Sequence, residues 1–311
     1  MNYPIFFDSK NSINLFELEQ NFNFLSKLYS EKKLPKVLMF TGDQGVGKST
    51  LINHFLLSIF DTSNYNKDSN SVISTSNFTN QFKNDIFENI IYINGSDFKS
   101  VKVDDIRNLK FKIFQSTILT KDRFIILNDV ELFNKNSLNA LLKIIEEPTK
   151  NNYFFLINNK SKPLLETIKS RTLEIKIILK EDQRLRIINN LISAFGLKLT
   201  LDPEKSKLSP GNFIKFNYIC SEYDISLNTD FIENLSLLLN LYKKHKDVLF
   251  INLIFFIADY FFNDLHKKNI IKKDKVFELK NYFFDNLNKF FLYNINQTSL
   301  LNTLSNKLNY E

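Results

Sequence analysis

The sequence predicts an α/β fold: a parallel sheet carrying a nucleotide-type loop, followed by all-helical domains. Three observations predict it. Four short, fully apolar runs, at 37–40, 90–93, 124–127 and 153–157, alternate with stretches of helical periodicity. Strands that are apolar on both faces and separated by helices belong to parallel, doubly wound sheets. A glycine-rich loop follows directly on the first run, and beyond residue 180 Leu, Ile and Phe repeat at helical spacing without strand alternation.

The composition bounds the answer without giving it. A chain of 311 residues is too long for one core of ordinary size, so two or three domains are expected. Lysine and arginine exceed the acids by 41 to 34, which suits work near nucleic acid. The excess is diffuse, a lysine-rich composition explains it equally well, and charge alone assigns no function. The one cysteine, Cys220, builds neither a disulfide framework nor a cysteine zinc site, and a reducing cytoplasm is its natural setting. The first ten residues lack the basic-then-apolar plan of a secretory signal. The most apolar stretch, 248–262, is shorter than the ~20 residues of a membrane span and is interrupted by Asn252 and Asp259. It is expected to be a buried helix, with no membrane involved.

The first element is the strand 37–40, which runs into Gly42-Asp-Gln-Gly45-Val-Gly47-Lys48-Ser49-Thr50. This fits the phosphate-binding pattern G-x-x-x-x-G-K-[ST] without departure. Its glycines let backbone N–H groups turn inward toward phosphate oxygens. Lys48 can reach the β- and γ-phosphates, Ser49 can ligate Mg²⁺, and the following helix adds its positive N-terminal end. A polar, Ser- and Asn-rich stretch at 61–84 is expected to be a mobile insertion, followed by the strand 90–93. The strand 124–127 ends in Asn128-Asp129-Val130-Glu131. A P-loop NTPase usually places an Asp for Mg²⁺ at the first of these positions and an acid for the attacking water beside it. Here the metal position holds the neutral Asn128. Asp129 serves either as metal ligand or as the adjacent acid, which leaves ATP binding intact and efficient hydrolysis doubtful. The strand 153–157 ends at Asn158 and Asn159, and a final run, 173–178, reads as a fifth strand.

Past this point the residues resemble one family. Residues 136–148, Asn-Ser-Leu-Asn-Ala-Leu-Leu-Lys-Ile-Ile-Glu-Glu-Pro, are similar to the N-A-L-L-K-x-x-E-E-P helix of the AAA+ clamp-loader ATPases of bacterial DNA polymerase III. Residues 101–107 resemble their V-D-x-I-R segment, and Leu34-Pro35 also fits. Ser209-Pro210-Gly211 resembles an S-P-G segment of the delta-prime branch. The likeness covers 16–217 well and the later helices only in general character.

The resemblance implies an AAA+ domain at 1–179, a helical lid at 180–223 and a helical collar closing a ring at 224–311. It implies ATP and Mg²⁺ as cofactors, with Ser49 and Asp129 toward the metal. Asn158 or Asn159 falls where sensor 1 meets the γ-phosphate. Ser170-Arg171-Thr172 is similar to the S-R-C motif, so Arg171 would be an arginine finger acting on ATP held by a neighbouring subunit. The implied partners are gamma/tau and delta subunits, the sliding clamp and, through the complex, primed DNA during replication.

Two departures narrow this. The cysteines that bind a structural zinc in many relatives are absent, so no zinc is expected, and the sensor-2 arginine position after Ser-Pro-Gly holds Asn212. With Asn128, these changes point away from the gamma/tau motor subunits and toward a delta-prime-like member that need not hydrolyse ATP. The competing readings are a self-sufficient gamma/tau-type ATPase and an unrelated P-loop enzyme such as a nucleotide kinase or transport ATPase. His54, His245 and His266 have no ligand spacing, and the many phenylalanines of the C-terminal helices are expected in packing rather than base stacking.

Overall fold

The computed structural model describes residues 3–95, 101–114, 122–227, 230–268 and 272–309. They form two compact units, one made of 3–191 with 209–212, the other of 192–208 with 213–311.

The first unit is a three-layer α/β structure. Two short 3₁₀ turns lead into α1 (Glu19–Ser30), β1 (Val37–Thr41) and α2 (Lys48–Phe60). After a two-stranded ribbon of β2 (Tyr65–Asn66) and β3 (Ser71–Val72) come α3 (Asn77–Lys83), β4 (Ile90–Asn94) and α4 (Val103–Phe114). The unit continues with β5 (Arg123–Asn128), α5 (Lys135–Ile145), β6 (Asn152–Asn158), α6 (Glu166–Lys169) and β7 (Leu173–Lys176). The four apolar runs are strands, and the final run supplies a fifth that ends at Lys176. They join in one parallel sheet of order β4-β5-β6-β1-β7.

Both faces of this sheet are covered, which is why its strands read as continuous apolar runs. On one face Phe40, Phe124 and Phe155 meet Phe55 of α2, with Phe55 and Phe155 ring centroids 5.8 Å apart. On the other, Met39, Ile125, Leu127 and Leu156 pack with Ile106 and Leu109 of α4 and with Leu138 and Leu141 of α5. The order β5-β6-β1 has a direct consequence. The segments that leave the carboxyl ends of these three adjacent strands, at 42–47, 128–131 and 158–161, emerge at the same edge, where open α/β sheets bind ligands.

The polar insertion is more ordered than a loop. Tyr65 and Phe82 from it are buried at 4% and 2% exposure. Its serines and asparagines are consumed in local hydrogen bonds: Ser76 caps α3 by accepting from the Thr79 N–H at 3.0 Å, and Asp61 accepts from Asn64 and Ser76. Side chains that favour turns and caps read as loop in sequence while building a ribbon and a helix.

The chain continues with α7 (Glu181–Phe195), α8 (Pro203–Ser206) and α9 (Pro210–Glu222), then α10 (Phe231–His245), α11 (Val248–Lys267), α12 (Lys273–Tyr293) and α13 (Gln297–Asn309). The apolar stretch expected to stop near 262 is part of a 20-residue helix, long and apolar enough by length and composition to cross a membrane. Its residues Phe250, Leu253, Ile254, Ile257, Ala258 and Phe262 nevertheless form one buried face. Phe262 meets Phe283 of α12 at 5.0 Å, and neighbouring Phe261 stacks on Phe231 of α10 at 4.2 Å. Asp259, which seemed to interrupt the stretch, pairs with Lys280 of α12. Most phenylalanines of these helices are packed ring against ring, as expected, while Phe277 is exposed.

Candidate functional site

The P-loop lies between β1 and α2, as the sequence placed it. Gly45 (φ +86°) and Gly47 (φ +99°) occupy left-handed backbone that a side chain would strain. Lys48 opens α2 and is 3% exposed, and its ammonium donates to the Gly42 and Asp43 carbonyls at 2.6 and 2.7 Å. Burial lowers its pKa to about 8, against the opposing pull of Glu131, Asp43 and Asp129. Ser49 and Thr50 follow in the first turn, half-buried.

The acid strand ends in an amide followed by a carboxylate. Asn128 donates its amide to Asn94 Oδ1 at 3.1 Å and to Asp129 Oδ2 at 3.3 Å. It thus acts as a donor where a metal ligand would offer a carboxylate. Asp129 is buried, adopts left-handed backbone (φ +51°) and accepts from the Asn159 side chain. Asn158 fixes the P-loop entrance, its carbonyl accepting from the Gly42 N–H at 3.3 Å. Among the described residues no group of three His, Cys, Asp or Glu side chains makes a metal cage. A divalent ion here would lean on nucleotide phosphates together with Ser49 and Asp129, the manner in which Mg²⁺ is usually held.

One functional group escaped the sequence reading. The left-handed turn at Asp129 leads into a 3₁₀ turn, Val130–Leu132, that carries Glu131 back into the site, where it is 5% exposed. It is the acid that most strongly opposes the depression of the Lys48 pKa. The only sequence signal was an acid two places beyond Asp129.

Ser209-Pro210-Gly211-Asn212 meets the P-loop directly. The Ser209 hydroxyl donates to the Gln44 carbonyl at 2.6 Å, the Gly211 N–H to the Gly45 carbonyl at 2.8 Å, and the Asn212 amide to the Gln44 carbonyl at 3.4 Å. A methyl group on Gly211 would meet the Gly45 backbone at 3.0 Å, so a side chain here would press on the P-loop.

Lys48, Asn128, Asp129, Asn158 and Asn159 are thus brought together. Arg171 has none of them as a partner. It follows α6 and pairs with Glu146, the first acid of the Glu-Glu-Pro motif, at 2.8 Å, while also donating to the Thr167 carbonyl at 3.0 Å. Its neighbour Lys169 pairs with Glu166 instead.

Residues 18–180, more than half of the chain, match the model of the family described as "DNA polymerase III, delta subunit". The chain belongs to this family. It is similar to DNA polymerase III delta-prime subunits, and its parallel α/β sheet carries the expected P-loop. Within that group, it is 32% identical over 143 residues to the DNA polymerase III subunit delta-prime of Buchnera aphidicola from Schizaphis graminum, a match covering 43% of this chain and 38% of that protein. A gamma subunit from the same organism is 28% identical over 96 residues, covering 30% and 26% of the two chains. The chain therefore spans well under half the length of these relatives. A solved structure of a DNA polymerase III gamma subunit-related protein from Thermotoga maritima is similar at 16% identity, with a TM-score of 0.47, over 92% of this chain and 98% of that one.

Proposed function

We propose that this subunit binds ATP with Mg²⁺ without turning it over efficiently, and lends Arg171 to ATP held by a neighbouring gamma/tau subunit. The observation that carries this reading is the uneven site. A complete P-loop with a buried lysine faces Asn128, whose amide is spent as a donor, and Asn212 in place of a sensor-2 cation. Phosphate binding needs the loop and Lys48, whereas hydrolysis needs a metal-holding carboxylate and a water-polarising acid. With Asn128 neutral, Asp129 can fill only one of these two places, and the next acid, Glu131, has its Oε1 taken up by Asn159 and Ser161.

Arg171 supports the second half of the proposal. It is partly exposed, and its guanidinium fork suits the charge on a transferring phosphate better than an ammonium. In this reading the domains run 1–179, 180–223 and 224–311. The subunit works in the cytoplasm with gamma/tau and delta, opening a sliding clamp and placing it on primed DNA.

Equilibrium binding of a fluorescent ATP analogue and steady-state phosphate release test the proposal together. The expected result is binding that Lys48→Ala abolishes, with turnover well below ~1 s⁻¹, the low end of ordinary enzymes. Turnover at or above that rate would favour a self-sufficient gamma/tau-type ATPase, a reading that the gamma relative keeps in view.

A further inference from the structure

Glu131 is almost fully buried, and its Oε1 accepts three hydrogen bonds from a single turn of chain. These come from the Asn159 N–H at 3.0 Å, the Ser161 N–H at 3.4 Å and the Ser161 hydroxyl at 2.8 Å. Its Oε2 is also buried and has no hydrogen-bond partner. The gathered turn includes Lys160 in left-handed backbone (φ +58°), a conformation that costs a non-glycine residue about 1–2 kcal/mol. Something must hold such a turn in place. The near end is tied by Asn158, whose Oδ1 accepts from the Lys160 N–H at 2.9 Å. Glu131 ties the rest. The side chain in the middle, Asn159, then donates to Asp129.

We propose that Glu131 is a positioning residue that sets Asn159 opposite the P-loop, so that the site distinguishes a nucleoside triphosphate from the diphosphate. The proposal rests on the P-loop reading given above. The P-loop N–H groups and Lys48 grip phosphates that ATP and ADP share. A preference for ATP must come from groups that reach the terminal phosphate from across the loop, and Asn159 follows the end of β6, the neighbour of the strand that leads into the P-loop. Without Glu131 the turn loses three hydrogen bonds and Lys160 has less reason to stay left-handed, so Asn159 leaves its place while the P-loop grip persists. The loss of one well-placed hydrogen bond to a charged group corresponds to roughly tenfold in affinity.

The test compares ATP and ADP affinities of the full chain, measured with fluorescent analogues of each, for wild type, Glu131→Ala, Glu131→Gln and Lys48→Ala. Glu131→Ala is expected to lose roughly tenfold of the ATP-over-ADP preference with ADP affinity nearly unchanged. Glu131→Gln should keep the preference, because its amide oxygen accepts the same three bonds. The ratio also removes the effect of deleting a negative charge near phosphates, which acts on both nucleotides. If Glu131→Ala does not fold, Ser161→Ala replaces it and should lose part of the preference. A wild-type ratio in Glu131→Ala or Ser161→Ala, or a Gln variant as impaired as the Ala variant, would overturn the proposal. Equal ATP affinity in wild type and Lys48→Ala would overturn the P-loop reading itself, a distinct result.

Discussion

Lys48 is poised to make nucleotide binding depend on pH. Burial holds its pKa at about 8, so the ammonium present at pH 7 is lost as the pH rises through 8 in the nucleotide-free site. Phosphate recognition needs the charged form. ATP affinity should therefore fall several-fold between pH 7 and pH 9, and titration calorimetry across that range would show it. Lys48→Arg keeps its charge throughout, so any affinity it retains should stay flat over the same interval. A wild-type affinity independent of pH would mean that Lys48 remains charged in this pocket. The P-loop lysine was fully legible in sequence because its function depends on a contiguous motif. Glu131 was not, because its place depends on a left-handed residue at Asp129, a backbone choice that residue types leave open.

At the scale of elements, the sheet was legible and the insertion was not. Strands buried in the sheet announce themselves as unbroken apolar runs, as four did, whereas the edge strand β7 alternates apolar with charged residues and was found by its position after them. The insertion at 61–84 contributes single anchors, Tyr65 and Phe82, set among polar residues that happen to be capping and turning. Phe82 has one helical partner, Phe78 four residues earlier, too short a pattern to stand out among polar residues. If the insertion is a packed part of the fold, Phe82→Ala should cost about 3–5 kcal/mol, the usual penalty for a fully buried phenylalanine. Urea unfolding would measure it, and a loss under ~1 kcal/mol would return the insertion to a surface loop. The Arg171–Glu146 pair lies at the opposite extreme. Both side chains are partly exposed, so Glu146→Gln should change stability by less than about 1 kcal/mol. A much larger loss would identify the pair as a structural tie instead of a surface contact.

At the scale of the whole molecule, the account divides labour between two places. In the proposed function the P-loop with Asn128, Asp129, Glu131 and Asn159 holds nucleotide, and Arg171, which pairs with Glu146 instead, serves the next subunit. The helical region was legible as helices but not in its details, since the length of α11 depends on Asp247 capping its start and on Asp259 finding Lys280. The measurement that tests the central claim most directly is ATP hydrolysis by an assembled loader containing either wild type or Arg171→Ala, with the isolated chain's own ATP binding measured alongside. Binding by the isolated variant should be unchanged, with a loss of roughly 10³-fold at the one neighbouring site that Arg171 serves. Total activity falls less, because other sites keep their own fingers. An Arg171→Ala loader that hydrolyses ATP at the wild-type rate would contradict the account and leave Arg171 an ordinary surface cation paired with Glu146.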